Sequence, residues 1–447
     1  MSIESRYVEL HPTSLGLHQR AMQVFPDGVT HDTRRTSPFP LYVAKAAGSR
    51  KTDVDGNEII DYVMGHGALL LGHLHPAIMG PVEAQARLGT HYGASHEAEV
   101  RWGELVQGMV PSAERLRFTS SGTEATMMAL RLARARSGRE KILRLREHFH
   151  GWNDSVTGQP AAEETLPVSA GLPRGILDAS IVIPPNDIDA IERTMREDGG
   201  LIAAMILEPT GAHWGTEPIG IDYVRRAREL TAELGIVLIF DEVITGFRVS
   251  PGGAQQAYGI TPDMTTLAKI IAGGLPGACV AGRADLVEQI ASSAGESERI
   301  AHPGTFNANP LSAAAGVACL ELIGDGKHQE RAAATAATLA RAMNAVLREE
   351  SVAGAVYGVS SMLHVALAME QPPPDGYSWG WHALPSTPPR VPPAAFKAFR
   401  LGMLNEGIDL MDGDGMMVSS VHDADDVART VAGFRAVVRE MRVEGVV

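Results

Sequence analysis

The middle of the chain alternates strand-sized apolar runs with amphipathic helices, and this pattern constrains its fold more than any other feature. "EKILRL" (140–145), "LIAAMIL" (201–207), "GIVLIF" (235–240), "TTLA" (265–268) and "ACVAG" (278–282) read as short buried strands. Between several of them lie "EATMMALRLARARS" (124–137), "DAIERTMRED" (189–198) and "IDYVRRARELTAEL" (221–234), whose apolar residues recur at helical spacing. Continuous apolar strands separated by one-faced helices imply a mainly parallel sheet covered on both sides. The ends differ. Residues 1–65 mix helix with a hairpin turning at Asp55-Gly56, and residues 326–447 are helix-rich and close with a helix over 423–441. The expected organisation is a large α/β domain over 66–325 and a small α+β domain built from both termini. A proline- and aromatic-rich excursion covers 371–393 and suits neither a regular helix nor a central strand.

At 447 residues the chain exceeds one small core, in keeping with two lobes. A formal net charge of −14 disfavours nucleic acid and anionic membrane as partners. Cys279 and Cys319 both sit in apolar surroundings and read as buried thiols. The start carries charges and no apolar signal core, and no apolar run approaches a membrane span. A cytoplasmic location is expected.

Several motifs place chemistry at strand ends. "DEVITGFR" (241–248) follows the run "GIVLIF", so Asp241 falls at the carboxyl end of a central strand, where ligands bind in open α/β sheets. Lys269 follows another short strand and precedes a glycine-rich turn, "TTLAKIIAGGLPG". A lysine held inside there has its pKa lowered and can condense with an aldehyde. A carboxylate at the same edge can keep a pyridine nitrogen protonated, so the pair suits pyridoxal phosphate. In "FTSSGTEATMMALRLARA" (118–135), Ser121, Gly122 and Thr123 open a helix; they read either as a phosphate-binding turn or as an ordinary N-cap. In "EHFHGWND" (147–154), Phe149 is a candidate to stack on a cofactor ring or a core residue, and His150 a proton relay or a structural histidine. Glu208 ends a strand in "ILEPTGAHWG" and is placed to orient a cofactor's hydroxyl edge or a neighbouring polar group. Thr305 in "HPGTFNANPLSAAAG" is placed to hold phosphate. No Walker loop and no GxGxxG after a strand is found.

"SSGTEATMMALRLARA", "FHGW", "LEP", "DEVITGFR", "LAKIIAGGLPGA" and "HPGTFNANPLSAAAG" resemble the class III aminotransferases of the fold-type I pyridoxal phosphate superfamily. The match is closest to the glutamate-1-semialdehyde aminomutase subgroup. "FPDGVTHDTR" (25–34), "GSRKTDVDGNEIIDY" (48–62), "GHGALLLGH" (65–73) and "SHEAEVRW" (95–102) lean towards its D-phenylglycine aminotransferase-like members. The resemblance implies a seven-stranded-type sheet. It makes Lys269 the Schiff-base lysine, Asp241 the pyridinium partner, and Ser121, Gly122 and Thr123 the phosphate turn. Phe149 stands where the family usually has a ring-stacking tyrosine, and Val243 lies on the opposite ring face. Thr305 matches a threonine that reaches the phosphate of a neighbouring subunit, which implies a homodimer with shared active sites.

The departures bear on substrate. Aminomutases resembling this chain usually carry Ser-Trp where it has Gly65-His66, so His66 is a candidate substrate residue. The β-amino-acid transaminases carry an arginine near the segment matching 411–420, and none stands there. Arg34 becomes the first candidate to clamp a substrate carboxylate, with Arg35 and Arg248 as alternatives. The expected activity is transamination, moving an amino group from an amino acid, aryl or β-amino among the options, to a keto acid. The alternative is an aminomutase or racemase on the same scaffold.

Overall fold

The computed structural model describes residues 2–157, 169–295, 299–367 and 391–446. Most of the proline-rich excursion, residues 371–390, lies outside the described residues. By packing, the described chain divides into two units, one of residues 76–327 and one of residues up to 75 together with those from 328 onward.

The 76–327 unit is organised by a seven-stranded sheet. Its strands in chain order are β1 (Arg115–Thr119), β2 (Lys141–Leu145), β3 (Ser180–Ile183), β4 (Ile202–Leu207), β5 (Val237–Asp241), β6 (Met264–Leu267) and β7 (Ala278–Gly282). The spatial order is β1-β7-β6-β5-β4-β2-β3. Strands β6, β5, β4, β2 and β3 run parallel, and β7 runs antiparallel to both β6 and β1. All six residues of β4 are buried, as a central strand covered on both faces requires. Alternate side chains serve opposite faces. Met205 and Leu207 join Ile191, Val224 and Phe240, while Ala204 and Ile206 join Met128, Leu132 and Ile239. Each large apolar side chain buried this way contributes roughly 1.5–3 kcal/mol.

The covering helices are α1 (Gly122–Ser137), α2 (Ile188–Asp198) and α3 (Ile221–Leu234), with α4 (Pro310–Ile323) near the end of the unit. Helix α1 starts with a capping box between Ser121 and Glu124 and ends at Gly138, whose φ of 66° is the left-handed cap that glycine tolerates. Both cysteines are free and buried.

The second unit carries the chain ends. Strands Val43–Ala47, Arg50–Asp53 and Glu58–Asp61 form an antiparallel meander, and the short strand Ile408–Asp409 adds in parallel to its last member. The turn at Asp55-Gly56 is where the sequence puts it. A three-stranded antiparallel sheet (354–359, 362–367, 415–417) packs with helices α5 (Lys327–Glu349), α6 (Pro393–Asn405) and α7 (Ala424–Val443). Tyr7, Phe39, Phe399, Phe434 and Leu347 share its core. Lys51 is buried between Asp61 and Asp409, whose charges hold its ammonium above the usual lysine range against the opposing effect of burial. No helix among the described residues is long and apolar enough to cross a membrane.

Candidate active site

The site in the 76–327 unit grows from two neighbouring strand ends. Asp241 is the last residue of β5, and Thr266 of β6 is its register partner, three residues before Lys269. The carboxylate of Asp241 is buried and held from three sides. Its Oδ2 lies 2.7 Å from His150 Nδ1. Its Oδ1 accepts from Thr266 Oγ1 and from the Val243 N–H, each at 3.2 Å. An ionised carboxylate only accepts, so the shared proton belongs on His150 Nδ1. His150 is itself buried, and its Nε2 has no hydrogen-bond partner among the described residues. The adjacent acid has another task. Glu242 turns inwards and accepts from the Ala254 and Gln255 N–H groups and from the side chains of Thr245 and Gln255.

Lys269 opens the 3₁₀ turn Lys269–Ala272 with φ 57°, left-handed and uncommon for a residue with a Cβ. Such a backbone costs on the order of 1 kcal/mol, a strain seen often at functional positions. Sequence reasoning expects a buried amine, but the residue is half-buried because it sits in the turn beyond the strand end.

Helix α1 closes on these strand ends. A Cβ added at Gly122 would lie 3.0 Å from Val243 Cγ2 and 3.5 Å from Ala268 Cβ, so glycine is what lets the helix start approach. The oxygen of Ser121 caps the Glu124 N–H, and Glu124 returns bonds to the Ser120 and Ser121 N–H groups. The N–H groups of Gly122 and Thr123 are in the first turn, where a helix offers no acceptor of its own. The Phe149–His150–Gly151 loop is fastened to the same turn. Thr126 Oγ1 donates to the His150 carbonyl at 2.8 Å, and a Cβ at Gly151 would strike Thr123.

Glu208, just beyond β4, is buried and ties two loops together. Its Oε1 accepts from the Phe149 and His213 N–H groups, and its Oε2 from Trp214 N–H. Burial, reinforced by the Asp241 charge, pushes its pKa up to about 8. His148 Nδ1 accepts from the Glu208 N–H at 2.9 Å, and burial with the nearby imidazoles of His150 and His213 keeps His148 neutral. Phe149 is 59% exposed, with its ring 6.4 Å from that of His213 and nearly parallel to it. Thr305 is exposed in a turn. Arg248 is fully buried, and burial lowers its pKa to about 10.

Arg34 and His66 lie in the other unit, where both line a cavity of about 420 Å³. The His31 ring stacks on His66 at 5.0 Å and caps the short turn that carries Arg34. Residues 64–67 are all left-handed, with His66 at φ 55°. Arg35 lies outside the cavity lining and pairs with Asp27 at the surface.

Sequence reasoning left the role of His150 open and passed over His148 and Thr266. The H-x-H spacing and the threonines of "TTLAK" were the available signals, but only strand pairing shows that they converge on Asp241 and Glu208.

The family model for Aminotransferase class-III matches residues 32–388. The chain belongs to the class III aminotransferases. This class III aminotransferase is 40% identical over 356 residues to a glutamate-1-semialdehyde 2,1-aminomutase of Ignicoccus hospitalis, covering 78% of this chain and 82% of that protein. It superposes with TM-score 0.85 on an omega-transaminase from Sphaerobacter thermophilus, 33% identical, covering 96% of this chain and 98% of that one. It also superposes with TM-score 0.87 on a structure described as a transaminase with PLP bound, 30% identical, covering 97% and 99% of the two chains.

Proposed function

We propose that this class III aminotransferase uses pyridoxal 5′-phosphate to move an amino group, with Lys269 and Asp241 as the catalytic pair. One observation carries the reading: adjacent parallel strands end at Asp241 and just before Lys269, and the start of α1 closes on both through Val243 and Ala268. The residues fit this cofactor. The N–H groups of Gly122 and Thr123, in the first turn of α1 where the helix offers no acceptor of its own, suit phosphate oxygens. Asp241 offers a carboxylate to a pyridine nitrogen. Phe149 and Val243 supply the two ring faces, and Glu208 holds the Phe149 loop in place.

When bound, the cofactor supplies an aldehyde to take up the amino group and a ring to delocalise the electron pair left on the substrate carbon. Lys269 Nζ would be the group that holds the cofactor's aldehyde. The same atom then takes a proton from the substrate carbon and returns it elsewhere. Asp241, fixed by His150 and Thr266, would keep the cofactor's ring nitrogen protonated. Arg34 binds a substrate carboxylate, and His66 forms part of the substrate wall. The working form is a homodimer in which the exposed Thr305 serves the partner's phosphate.

Two finer readings remain, and the comparisons favour the second choice of the sequence analysis. The curated relative at 40% identity is an aminomutase, which supports transfer of the amino group from carbon 2 to carbon 1 of one molecule. Transfer to a separate keto acid keeps the support of the omega-transaminase likeness and of Gly65-His66 standing where aminomutases carry Ser-Trp. A single-substrate assay separates them. With glutamate 1-semialdehyde alone, an aminomutase turns over many times. A transaminase stalls after one equivalent per site until a keto acid is added.

A further inference from the structure

The cavity that holds Arg34 contains a second arginine that neither the motifs nor the family resemblance singles out. Arg400 comes from the middle of α6 and lines the same cavity. Its Nη2 donates to the Thr33 carbonyl at 3.4 Å and its Nη1 to the Arg35 carbonyl at 3.3 Å. These two carbonyls flank Arg34 on either side. The third nitrogen of the fork, Nε, is buried and has no hydrogen-bond partner among the described residues. Among the described residues, neither Arg34 nor Arg400 forms an ion pair.

The sequence makes room for this arrangement. Gly413 has φ 99°, and a Cβ there would lie 2.7 Å from Phe396 Cζ and 3.1 Å from Arg400 Cδ. The glycine turn therefore lets the Arg400 stem pass. The segment 411–420, where the β-amino-acid transaminases are expected to carry an arginine, instead provides the slot for one arriving from α6.

Arg34 itself is exposed, and its Nη1 donates to Thr30 Oγ1 at 3.0 Å. A long side chain on a short 3₁₀ turn loses much rotational freedom when it grips a ligand. Fixing the backbone on both sides reduces what remains to be ordered. The rest of the cavity lining mixes apolar residues such as Phe25, Leu41 and Leu410 with polar and charged ones, among them Asp412 and the Lys51–Asp409 pair.

We propose that Arg400 positions Arg34 for a carboxylate ligand by holding the carbonyls of Thr33 and Arg35. The inference rests on the reading of Arg34 as the carboxylate clamp. Arg400 acts through Arg34 and does not touch the ligand.

The test is calorimetric titration of the cofactor-loaded protein with two amine-free carboxylates, glutarate and 3-phenylpropanoate. At least one binds the wild type, and Arg34→Ala weakens it about tenfold or more. Arg400→Ala weakens it roughly three- to tenfold, the scale of one or two net hydrogen bonds. The double variant is no weaker than Arg34→Ala alone, because Arg400 has nothing left to position. Arg400→Lys, with its charge kept and the fork lost, falls between wild type and Arg400→Ala, and it carries the test if the alanine variant does not fold. If neither carboxylate binds, or Arg34→Ala binds like wild type, the clamp reading fails and takes this inference with it. If Arg34→Ala weakens binding while both Arg400 variants bind like wild type, only the role of Arg400 is overturned. A double variant weaker by the product of the two single losses makes Arg400 a direct ligand contact and also overturns it.

Discussion

His150 Nδ1 lies 2.7 Å from Asp241 Oδ2, and both side chains are buried. The imidazole fixes the direction of a carboxylate whose other oxygen is shared between Thr266 and the Val243 N–H. Removing it leaves a buried acceptor one bond short, at a cost of about 1–3 kcal/mol. His150→Ala is expected to lower the melting temperature and to reduce kcat about tenfold or more. His150→Asn, whose amide can still donate, recovers part of both losses. Melting curves and steady-state kinetics on the two variants check this.

Glu208 sets a pH dependence of stability. Its pKa is raised from 4.5 to about 8, so the folded chain retains a proton that the unfolded chain releases above about 4.5. The unfolded state binds fewer protons throughout that window, and stability falls as pH rises through it. Wild-type stability relative to Glu208→Gln should therefore decline from about pH 5 to pH 8 and then level off. Urea unfolding midpoints across that range test the sign; a relative gain with rising pH contradicts it.

Gly122 is held to glycine by Val243, with 3.0 Å to a built Cβ. Gly122→Ala crowds the helix start where phosphate is proposed to sit, and overpacking of this kind costs about 1–3 kcal/mol. Cofactor affinity should drop roughly five- to a hundredfold. Val243→Ala in the same chain should restore a good part of it, because it removes the atoms that the new methyl meets. Equilibrium dialysis against cofactor, read by absorbance, measures both.

Much of the sheet is legible because burial writes itself into composition. The run 201–207 is apolar throughout since β4 is covered on both faces, and Asp241 stands out as the charge that ends such a run. Strands β1 and β3 escape notice because they are the sheet's edges. Arg115 and Arg117 interrupt "RLRFT", and "SIVI" is too short to outweigh its surroundings. The acidic pair Asp241-Glu242 is legible as a motif but not as a division of labour; backbone direction after β5 sends one acid to the site and the other inwards. Serine 121 shows the reverse ambiguity, since its side chain makes the ordinary cap while the glycine and threonine after it carry the free N–H groups. Arg400 leaves no local signal at all. It looks like one charge on an amphipathic helix, and only the fold brings it to the carbonyls beside Arg34.

The central claim is that the amine of Lys269 is the group that holds the cofactor. Borohydride treatment of the cofactor-loaded protein, followed by peptide mass mapping, tests it most directly. The account predicts that the reduced cofactor is found on the peptide containing Lys269 and that Lys269→Ala carries none. Cofactor fixed to any other lysine, or a Lys269→Ala protein labelled as fully as wild type, contradicts it.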